Sequence, residues 1–160
     1  QKFGEVDETI RKVSPVAIRE FNNRWYLIAD DRGIVKNFGL ERMNKVSILK
    51  DKIDENIVFN YDDKYKYSFG IIVPSTEKPE KIVLSVTKKQ AAYLESLPLH
   101  ESQEVLGTKD DEVLIGLELF LTEDFISEIL SMSRSVTVIE PKKLKDRISE
   151  ILNEILLKYN

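Results

Sequence analysis

The sequence predicts an α+β protein built from two parts. Short alternating runs follow one another closely between residues 14 and 49, which is typical of a small, strongly bent antiparallel sheet or barrel. Residues 80–160 instead show strand and helix patterns in the order β-α-β-β-α-β, followed by one further helix. That is the order of the ferredoxin-like fold. A Pro- and Ser-containing stretch at residues 74–79 separates the two parts.

The first part is organised around a predicted β-hairpin. One strand begins at Arg24, a turn at residues 30–33 ends in Gly33, and a second strand runs back to about Leu40. Just before this hairpin, Asn22-Asn23 is a turn signal. Pro15 is expected to end a short strand that starts near Thr9, because the residue before proline favours extended geometry. Residues 46–49 are predicted to form a further strand.

The second part has clearer helix signals. Thr87 and Gln90 fit a capping box, in which Thr87 is the N-cap of a helix and Gln90 reaches back to it. The last helix carries one apolar stripe at helical spacing. We predict that most of this stripe covers the sheet and that its edge is left for a partner, although the whole stripe could be a dimer face. The stripe consists of Leu144, Ile148, Ile151, Leu152 and Ile155.

These patterns predict a β-barrel domain at residues 1–55, an aromatic-rich connector at 56–79 and a ferredoxin-like domain at 80–160. The chain has 160 residues, which is enough for one ordinary domain or two small ones. It contains no run of apolar residues long enough to span a bilayer and no signal-peptide pattern. We therefore expect a cytoplasmic protein with no membrane partner.

The amino-acid composition limits the kinds of functional site that the chain is expected to contain. There is no Cys and only one His, His100, so no metal site and no cofactor are expected, and His100 is predicted to make a structural hydrogen bond. No nucleophile elbow or Gly-rich phosphate loop is found, so we do not expect an enzyme. Residues 1–76 carry 13 Lys/Arg and 12 Asp/Glu, and residues 77–160 carry 11 and 16. This balance argues against strong non-specific duplex binding.

Two sets of residues resemble a known family, and together they extend over nearly the whole chain. The first set resembles the WYL domain, and the second resembles the extension that commonly follows it. The first consists of Ser14-Pro15, Phe21-Asn22-Asn23-Arg24-Trp25-Tyr26-Leu27 and Phe38-x-Leu40-Glu41-Arg42-Met43; the second of Leu97-Pro98-Leu99-His100-x-Ser102-Gln103 and Val136-x-Val138-Ile139-Glu140-Pro141-x-x-Leu144.

The resemblance implies a fold and a role. WYL domains are small SH3- or Sm-like barrels, and this chain resembles one that begins past the family's first strand. They usually follow a winged helix-turn-helix in bacterial transcription regulators and sense a ligand, often a nucleotide or single-stranded nucleic acid. The extension is ferredoxin-like and takes part in dimerisation. We therefore expect the ligand-sensing part of a homodimeric regulator, which contacts DNA only through a helix-turn-helix outside these 160 residues.

Tyr26 and Arg42 are the first candidates for ligand contact, because a Tyr face can stack on a base and an Arg can fork onto phosphate. The alternative is that Tyr26 packs within the sheet and Arg42 pairs with Glu41 or another carboxylate. Arg24 shares the strand parity of Tyr26, so both can face one side, although Arg24 could instead be a solvated charge at the sheet edge. Trp25 has the opposite parity and is predicted to lie in the core, the alternative being a stacking role.

Two further candidates complete the predicted site. Lys36 shares the parity of Arg42 and could complete a cationic cluster, although a surface lysine is the favoured alternative. Ser14 stands where the family often has His and could donate one hydrogen bond, although a loop serine without a role is the alternative. The family often has Arg where Lys36 and Gly39 stand, and Asp where Glu41 stands. These departures weaken the expectation of phosphate binding.

A different class of function remains open at this point. The chain could be an interaction and dimerisation module without any small ligand. In that case, changing Tyr26 and Arg42 to Ala would alter neither self-association nor the output of the regulator.

Overall fold

The computed structural model describes residues 9–53 and 60–160, and it confirms the α+β class. Its described residues form two antiparallel sheets and four α-helices. They divide into two compact units, Gln1–Lys66 and Tyr67–Asn160. The domain limits drawn from the sequence at residues 55 and 80 stay predictions. None of the helices in these described ranges is long and apolar enough to cross a bilayer.

The first unit contains a three-stranded antiparallel sheet in the order β1-β2-β3. A single 3-10 turn follows β3, and a short helix, α1, lies further along the chain. The elements are β1 (Ser14–Phe21), β2 (Arg24–Asp30), β3 (Val35–Gly39), the 3-10 turn (Leu40–Arg42) and α1 (Tyr61–Tyr65).

Both predicted turns of this sheet are confirmed. Asn22 and Asn23 have φ values of 51° and 59°, which a two-residue type I′ hairpin requires of its central residues. Between β2 and β3, the Asp31 amide donates to the carbonyl of Ile34 at 2.8 Å. Gly33 lies in this turn with a φ of 83°, so its backbone is in a region that favours glycine.

Two strand predictions in this unit are wrong. Pro15 does not end a strand but lies inside β1, which it can do because β1 is at the edge of the sheet formed by the described strands and needs no ladder donor there. Residues 46–49 are not in a strand. Val46, Ile48 and Leu49 are exposed, so the alternating pattern has no sheet to bury its apolar face.

The pairing of β1 with β2 contains one extra residue. Pro15 pairs with Ala29 and Ala17 pairs with Ile28, so Val16 is left between them as in a β-bulge. Beyond this bulge Arg19 pairs with Tyr26. Partners directly opposite in an antiparallel pair point to the same face, so the bulge resets which residues of β1 share a face with Tyr26.

The second unit has a four-stranded antiparallel sheet in the order β5-β6-β4-β7. Its elements follow the predicted sequence of strands and helices. They are β4 (Glu80–Thr87), α2 (Lys88–Ser96), β5 (Glu104–Lys109), β6 (Glu112–Leu119), α3 (Glu123–Ser131), β7 (Val136–Glu140) and α4 (Lys142–Leu157).

The core of this unit lies between one face of the sheet and the helices. Alternate residues of β4 are fully buried, as period-two patterning requires, and they belong to one cluster with residues of α3 and α4. In the apolar stripe of α4, Leu144 is buried and Ile148 and Ile151 pack against this core. Leu152 and Ile155 are 43% and 40% exposed. The prediction that most of the stripe covers the sheet is therefore confirmed.

Of the two hydrogen bonds predicted for the capping box at the start of α2, one is confirmed. The Gln90 amide donates to the Thr87 hydroxyl at 3.3 Å, which confirms Thr87 as the N-cap. The Gln90 side chain does not reach back, because its amide donates to the sulfur of Met132 at 3.3 Å instead. A contact from outside the helix has replaced the second half of the capping box.

Candidate ligand-binding site

Arg24 and Arg42 lie at one end of the first sheet and are called the arginine pair below. Arg24 begins β2, and Arg42 ends the 3-10 turn that follows β3. The pairing of Tyr26 with Gly39 brings these two chain segments together. Arg24 Nη1 lies 3.8 Å from Glu41 Oε1, and Arg42 Nε lies 3.6 Å from the same oxygen. Two guanidinium groups therefore face one carboxylate oxygen.

Gly39 provides the room in which this carboxylate lies. A Cβ atom added to Gly39 would stand 2.8 Å from both carboxylate oxygens of Glu41 and 3.0 Å from Arg42 Nε. The backbone of Gly39 is extended, with φ −63° and ψ 127°, which any residue can adopt. A side chain at this position would displace the Glu41 carboxylate, so glycine matters here for space and not for an unusual backbone conformation.

Tyr26 lies beside this cluster on the inward face of the sheet. It is 9% exposed, and Ile28, two residues further along the same face, is fully buried. Trp25, on the opposite face, is 54% exposed. The prediction that Trp25 lies in the core is therefore wrong. Strand parity separates Trp25 from Tyr26 correctly, but it does not tell which of the two faces is covered.

For Tyr26 and Arg42, the structure agrees with the alternative to ligand contact that was stated from the sequence. Tyr26 packs within the sheet, and Arg42 faces Glu41. That Tyr26, Arg24 and Arg42 contact a ligand stays a prediction. The structure adds the distances of the two arginine side chains from Glu41.

Lys36 and Ser14 lie towards the other end of β2. Lys36 pairs with Ala29 and Ser14 pairs with Asp30, which are five and six residues from Arg24. At the rise of a β-strand, this separation is roughly 16–20 Å. The register also puts Lys36 on the face opposite to Tyr26. The prediction that Lys36 completes one cationic cluster with the arginine pair is therefore wrong.

Lys36 instead belongs to an ion cluster around Asp31. Lys36 Nζ and Arg11 Nη1 lie 2.7 Å and 2.6 Å from the same carboxylate oxygen of Asp31, which is 5% exposed. The hydrogen bond from Lys36, supported by Arg11, lowers the pKa of Asp31 although burial acts in the opposite direction. The charge of Lys36 is thus balanced within the fold. Whether Lys36 and Ser14 also contact a ligand stays a prediction.

A second cluster on the Tyr26 face was not predicted from the sequence. The Arg19 guanidinium carbon lies 4.9 Å from the centroid of the Tyr65 ring, and Arg19 Nη1 donates to the Tyr61 hydroxyl at 3.1 Å. Tyr65 donates to Asn37 Oδ1 at 2.8 Å, and burial raises the pKa of Tyr65. The aromatic-rich composition of residues 60–70 was a signal. It did not reveal that α1 packs on this face of the sheet.

His100 makes the structural hydrogen bond that the sequence predicts. The Ser102 amide donates to His100 Nδ1 at 3.1 Å, and the Ser102 hydroxyl lies 2.9 Å from the same nitrogen. Within residues 9–53 and 60–160, no three His, Asp or Glu side chains gather in a way that could hold a metal ion.

Comparison with known families identifies both parts of the chain. The model of the WYL domain matches residues 1–48, and the model of the WCX domain matches residues 78–156. The chain is a WYL-domain protein. All five predicted ligand residues lie in its WYL domain, and all seven strands and helices from β4 to α4 lie within or at the edge of the WCX match.

One solved structure similar to this WYL-domain protein is proteasome accessory factor B/C (PafBC) of Arthrobacter aurescens. The two share 18% sequence identity with a TM-score of 0.42. The match covers 95% of this chain and 23% of the PafBC chain, so this chain spans about a quarter of that protein's length. No curated protein sequence matches the chain.

Proposed function

We propose that this WYL-domain protein is the ligand-sensing and dimerisation part of a bacterial transcriptional regulator. Its ligand would be a nucleotide or a single-stranded nucleic acid, bound in the WYL domain. The observation that carries the proposal is the convergence of Arg24 and Arg42 on one oxygen of Glu41. Because an arginine fork matches the oxygens of a phosphate, two of them facing one point form a natural phosphate position.

Exposure also supports a ligand at this end of the sheet. The side chains of Arg24 and Glu41 are 53% and 42% exposed, so the phosphate position can be reached from solvent. Trp25 exposes about half of its surface, but its ring lies on the face opposite to Arg24 and Tyr26. A base held at the arginine pair would stack on Tyr26, which would first have to be uncovered.

The finer fold assignments form part of the same proposal. We take the WYL domain to be an SH3- or Sm-like barrel, which its three consecutive antiparallel strands support. We take the WCX domain to be ferredoxin-like, which its β-α-β-β-α-β order and its strand order β5-β6-β4-β7 support. The helix α4 would be the addition to that fold.

Dimerisation would use the apolar end of α4. Leu152, Ile155 and Leu156 expose 40% to 57% of their surface, and Leu157 more, so this end of the helix offers apolar area to a second copy. Ligand binding in the WYL domain would then act on a helix-turn-helix domain elsewhere in the regulator. Regulation, and not catalysis, would be the role of the chain.

Titration of the purified chain tests the ligand part of this proposal. Short single-stranded oligonucleotides and mononucleotides are added while the fluorescence of Trp25, the only Trp, is recorded. Saturable binding that is lost in Arg24→Ala and Arg42→Ala, and kept in Arg134→Ala, is expected. Arg134 is a matched control because it is an exposed arginine of the other unit. Absence of binding by every nucleotide and oligonucleotide would refute the ligand assignment.

The alternative function, an interaction module without a small ligand, is favoured by one observation. The exposed leucines of α4 require only a protein partner, whereas the arginine pair already faces a carboxylate of its own chain. Under this alternative, Tyr26→Ala and Arg42→Ala would change neither the oligomeric state in solution nor the output of the intact regulator. A changed output with an unchanged oligomeric state would favour the ligand-sensing role.

A further inference from the structure

We propose that the ring of Tyr65 occupies the position of a nucleobase on the first sheet, and that the base which replaces it is adenine. This inference rests on the proposed ligand-sensing function and deepens it, since it assigns a subsite for the base of the ligand. Arg19 and Asn37 are the two sheet residues that hold the ring now and that hold the base after the exchange.

Arg19 and Asn37 project from the sheet on the same side as Tyr26. Arg19 pairs with Tyr26 in the register of β1 and β2, and Asn37 pairs with Ile28 in the register of β2 and β3. Directly opposite partners in an antiparallel pair point to one face, and Tyr26 and Ile28 are two residues apart on one strand. The strands on either side of β2 therefore contribute one polar side chain each to the face of Tyr26.

The ring of Tyr65 contacts both of these side chains. The Arg19 guanidinium carbon lies 4.9 Å from the ring centroid, and the hydroxyl at the far end of the ring donates to Asn37 Oδ1 at 2.8 Å. Tyr65 is 6% exposed, so its ring fills the space that it occupies. A guanidinium on the face of the ring and a hydrogen bond at its edge are contacts by which proteins hold an unpaired nucleobase. Tyr65 thus makes the contacts of a bound base.

Tyr65 belongs to α1, a helix that is too short to be stable by itself. α1 has five residues, whereas isolated helices below about 12–15 residues are marginal in water. Its position therefore depends on contacts between its side chains and the sheet. These include the hydrogen bond of Tyr65 and the hydroxyl of Tyr61, which accepts from Arg19 Nη1 at 3.1 Å. When a ligand takes over these contacts, α1 is released and the face beside Tyr26 opens.

The hydrogen bond to Asn37 selects the base. Burial raises the pKa of Tyr65, so its hydroxyl stays protonated at neutral pH and is the donor to Asn37 Oδ1. The group that replaces it has to be a donor as well, as the exocyclic amino group of adenine is. In the usual pairings of side chains with base edges, Asn matches adenine, whereas Arg or Lys matches guanine and a carboxylate matches cytosine. Adenine is therefore the base that fits this position.

Two nucleotides that differ only in this amino group test the subsite. AMP carries it, and the monophosphate of purine riboside lacks it. Both are titrated into the wild-type chain by isothermal titration calorimetry at neutral pH. The wild-type chain is expected to bind AMP about two- to tenfold more tightly, because the analogue cannot donate the hydrogen bond to Asn37. Asn37→Ala is expected to bind the two nucleotides equally.

Tyr65→Phe tests whether the tyrosine competes with the ligand. It keeps the ring and removes only the hydrogen bond to Asn37. The variant should bind AMP about two- to tenfold more tightly than the wild type, since this contact no longer opposes the exchange. Tyr159→Phe makes the same chemical change at a position that is 85% exposed, and as the matched control it should leave the affinity unchanged.

The outcomes separate this inference from the proposed function. A wild-type preference for AMP that Asn37→Ala loses, with tighter AMP binding by Tyr65→Phe, supports the inference. Equal wild-type affinity for the two nucleotides, a preference that Asn37→Ala retains, or AMP binding that Tyr65→Phe does not tighten overturns it, while the ligand-sensing function stands. If neither nucleotide binds, the inference is overturned. The proposed function fails with it only when the oligonucleotides also do not bind.

Discussion

The ammonium group of Lys36 lies 2.7 Å from a carboxylate oxygen of Asp31, and Asp31 is almost completely buried. This pair joins the turn after β2 to the returning strand β3. Arg11 reaches the same oxygen from the segment before β1. Three segments of the WYL domain thus meet at one carboxylate, which makes Asp31 a structural centre of this unit.

The stability of the WYL domain should therefore depend on pH in the acid range. Lys36 and Arg11 lower the pKa of Asp31 below its ordinary value of 3.8, so the folded state holds its proton less tightly than the unfolded state. The stabilisation is present above pH about 4 and is lost as the pH falls through the lowered pKa. Denaturation midpoints followed by Trp25 fluorescence between pH 7 and pH 2 measure this loss.

Asp31→Asn should flatten that pH profile, since the amide does not titrate. Asp62→Asn is the matched control, because Asp62 is an exposed aspartate of the same unit, and it should keep the wild-type slope. Identical slopes for Asp31→Asn and the wild type would show that Asp31 does not carry the effect.

Tyr65→Phe should destabilise the first unit by about 1 kcal/mol. The variant keeps the ring, which is stacked on Tyr61 and contacts Arg19, and removes only the hydroxyl that donates to Asn37 at 2.8 Å. Urea denaturation followed by Trp25 fluorescence gives the change in the free energy of unfolding. Tyr159→Phe, at a position 85% exposed, should have no effect. Equal stability of the two variants would contradict the structural role of the Tyr65 hydroxyl.

In the second unit, Asp124 and Gly70 should be energetically coupled. Asp124 Oδ2 accepts hydrogen bonds from the amides of Ile71 and Ile72 at 3.0 and 3.2 Å, so Asp124→Ala should cost about 2–3 kcal/mol. A Cβ atom on Gly70 would stand only 2.3 Å from the same carboxylate oxygen. Gly70→Ala should therefore be destabilising as well, because it drives the carboxylate away from these amides.

A double-mutant cycle measures this coupling by urea denaturation with far-ultraviolet circular dichroism. Gly70→Ala should cost less in the Asp124→Ala background than in the wild type, since the clash and the hydrogen bonds are already gone. Glu123→Ala, which removes an exposed carboxylate from the same helical turn, should cost at most about 1 kcal/mol. Additive effects of Gly70→Ala and Asp124→Ala would mean that the two residues act independently.

Self-association should depend on the end of α4. Placing charge on its exposed apolar surface with Leu152→Glu and Ile155→Glu should weaken a dimer by tenfold or more, because each carboxylate would be buried without a partner. Sedimentation equilibrium measures the dissociation constant. Leu97→Glu, at an apolar position after α2 that is 78% exposed, is the control. A dimer that resists both α4 substitutions would place the interface elsewhere.

Periodicity predicted the WCX domain well because its sheet has one covered face and its helices have one apolar stripe. Ile82, Leu84 and Val86 alternate along β4, and all three are buried as this pattern requires. The side chain of Gln90 makes a contact that the local sequence pattern could not predict. Its partner, Met132, is 42 residues away in the chain, and a contact over that distance leaves no signal in a capping motif.

The candidate site was predicted less completely. Arg24 and Arg42 do lie together, because the hairpin register brings the start of β2 beside the end of β3. Strand parity correctly separated Trp25 from Tyr26, but it assigned the covered face to the wrong one of them. The position of Lys36 depends on Asp31, a buried carboxylate in a turn where sequence patterns favour an exposed one.

The bulge at Val16 has a consequence for comparing this chain with its relatives. Ser14 and Arg19 face the same side of the sheet only because one residue between them is looped out of the pairing. A relative that lacks this extra residue would keep the residues before position 16 on the same faces, one place closer to Arg19 in sequence. An ungapped alignment through β1 would then equate side chains from opposite faces, so Ser14 can be compared with such relatives only when a gap is placed at Val16.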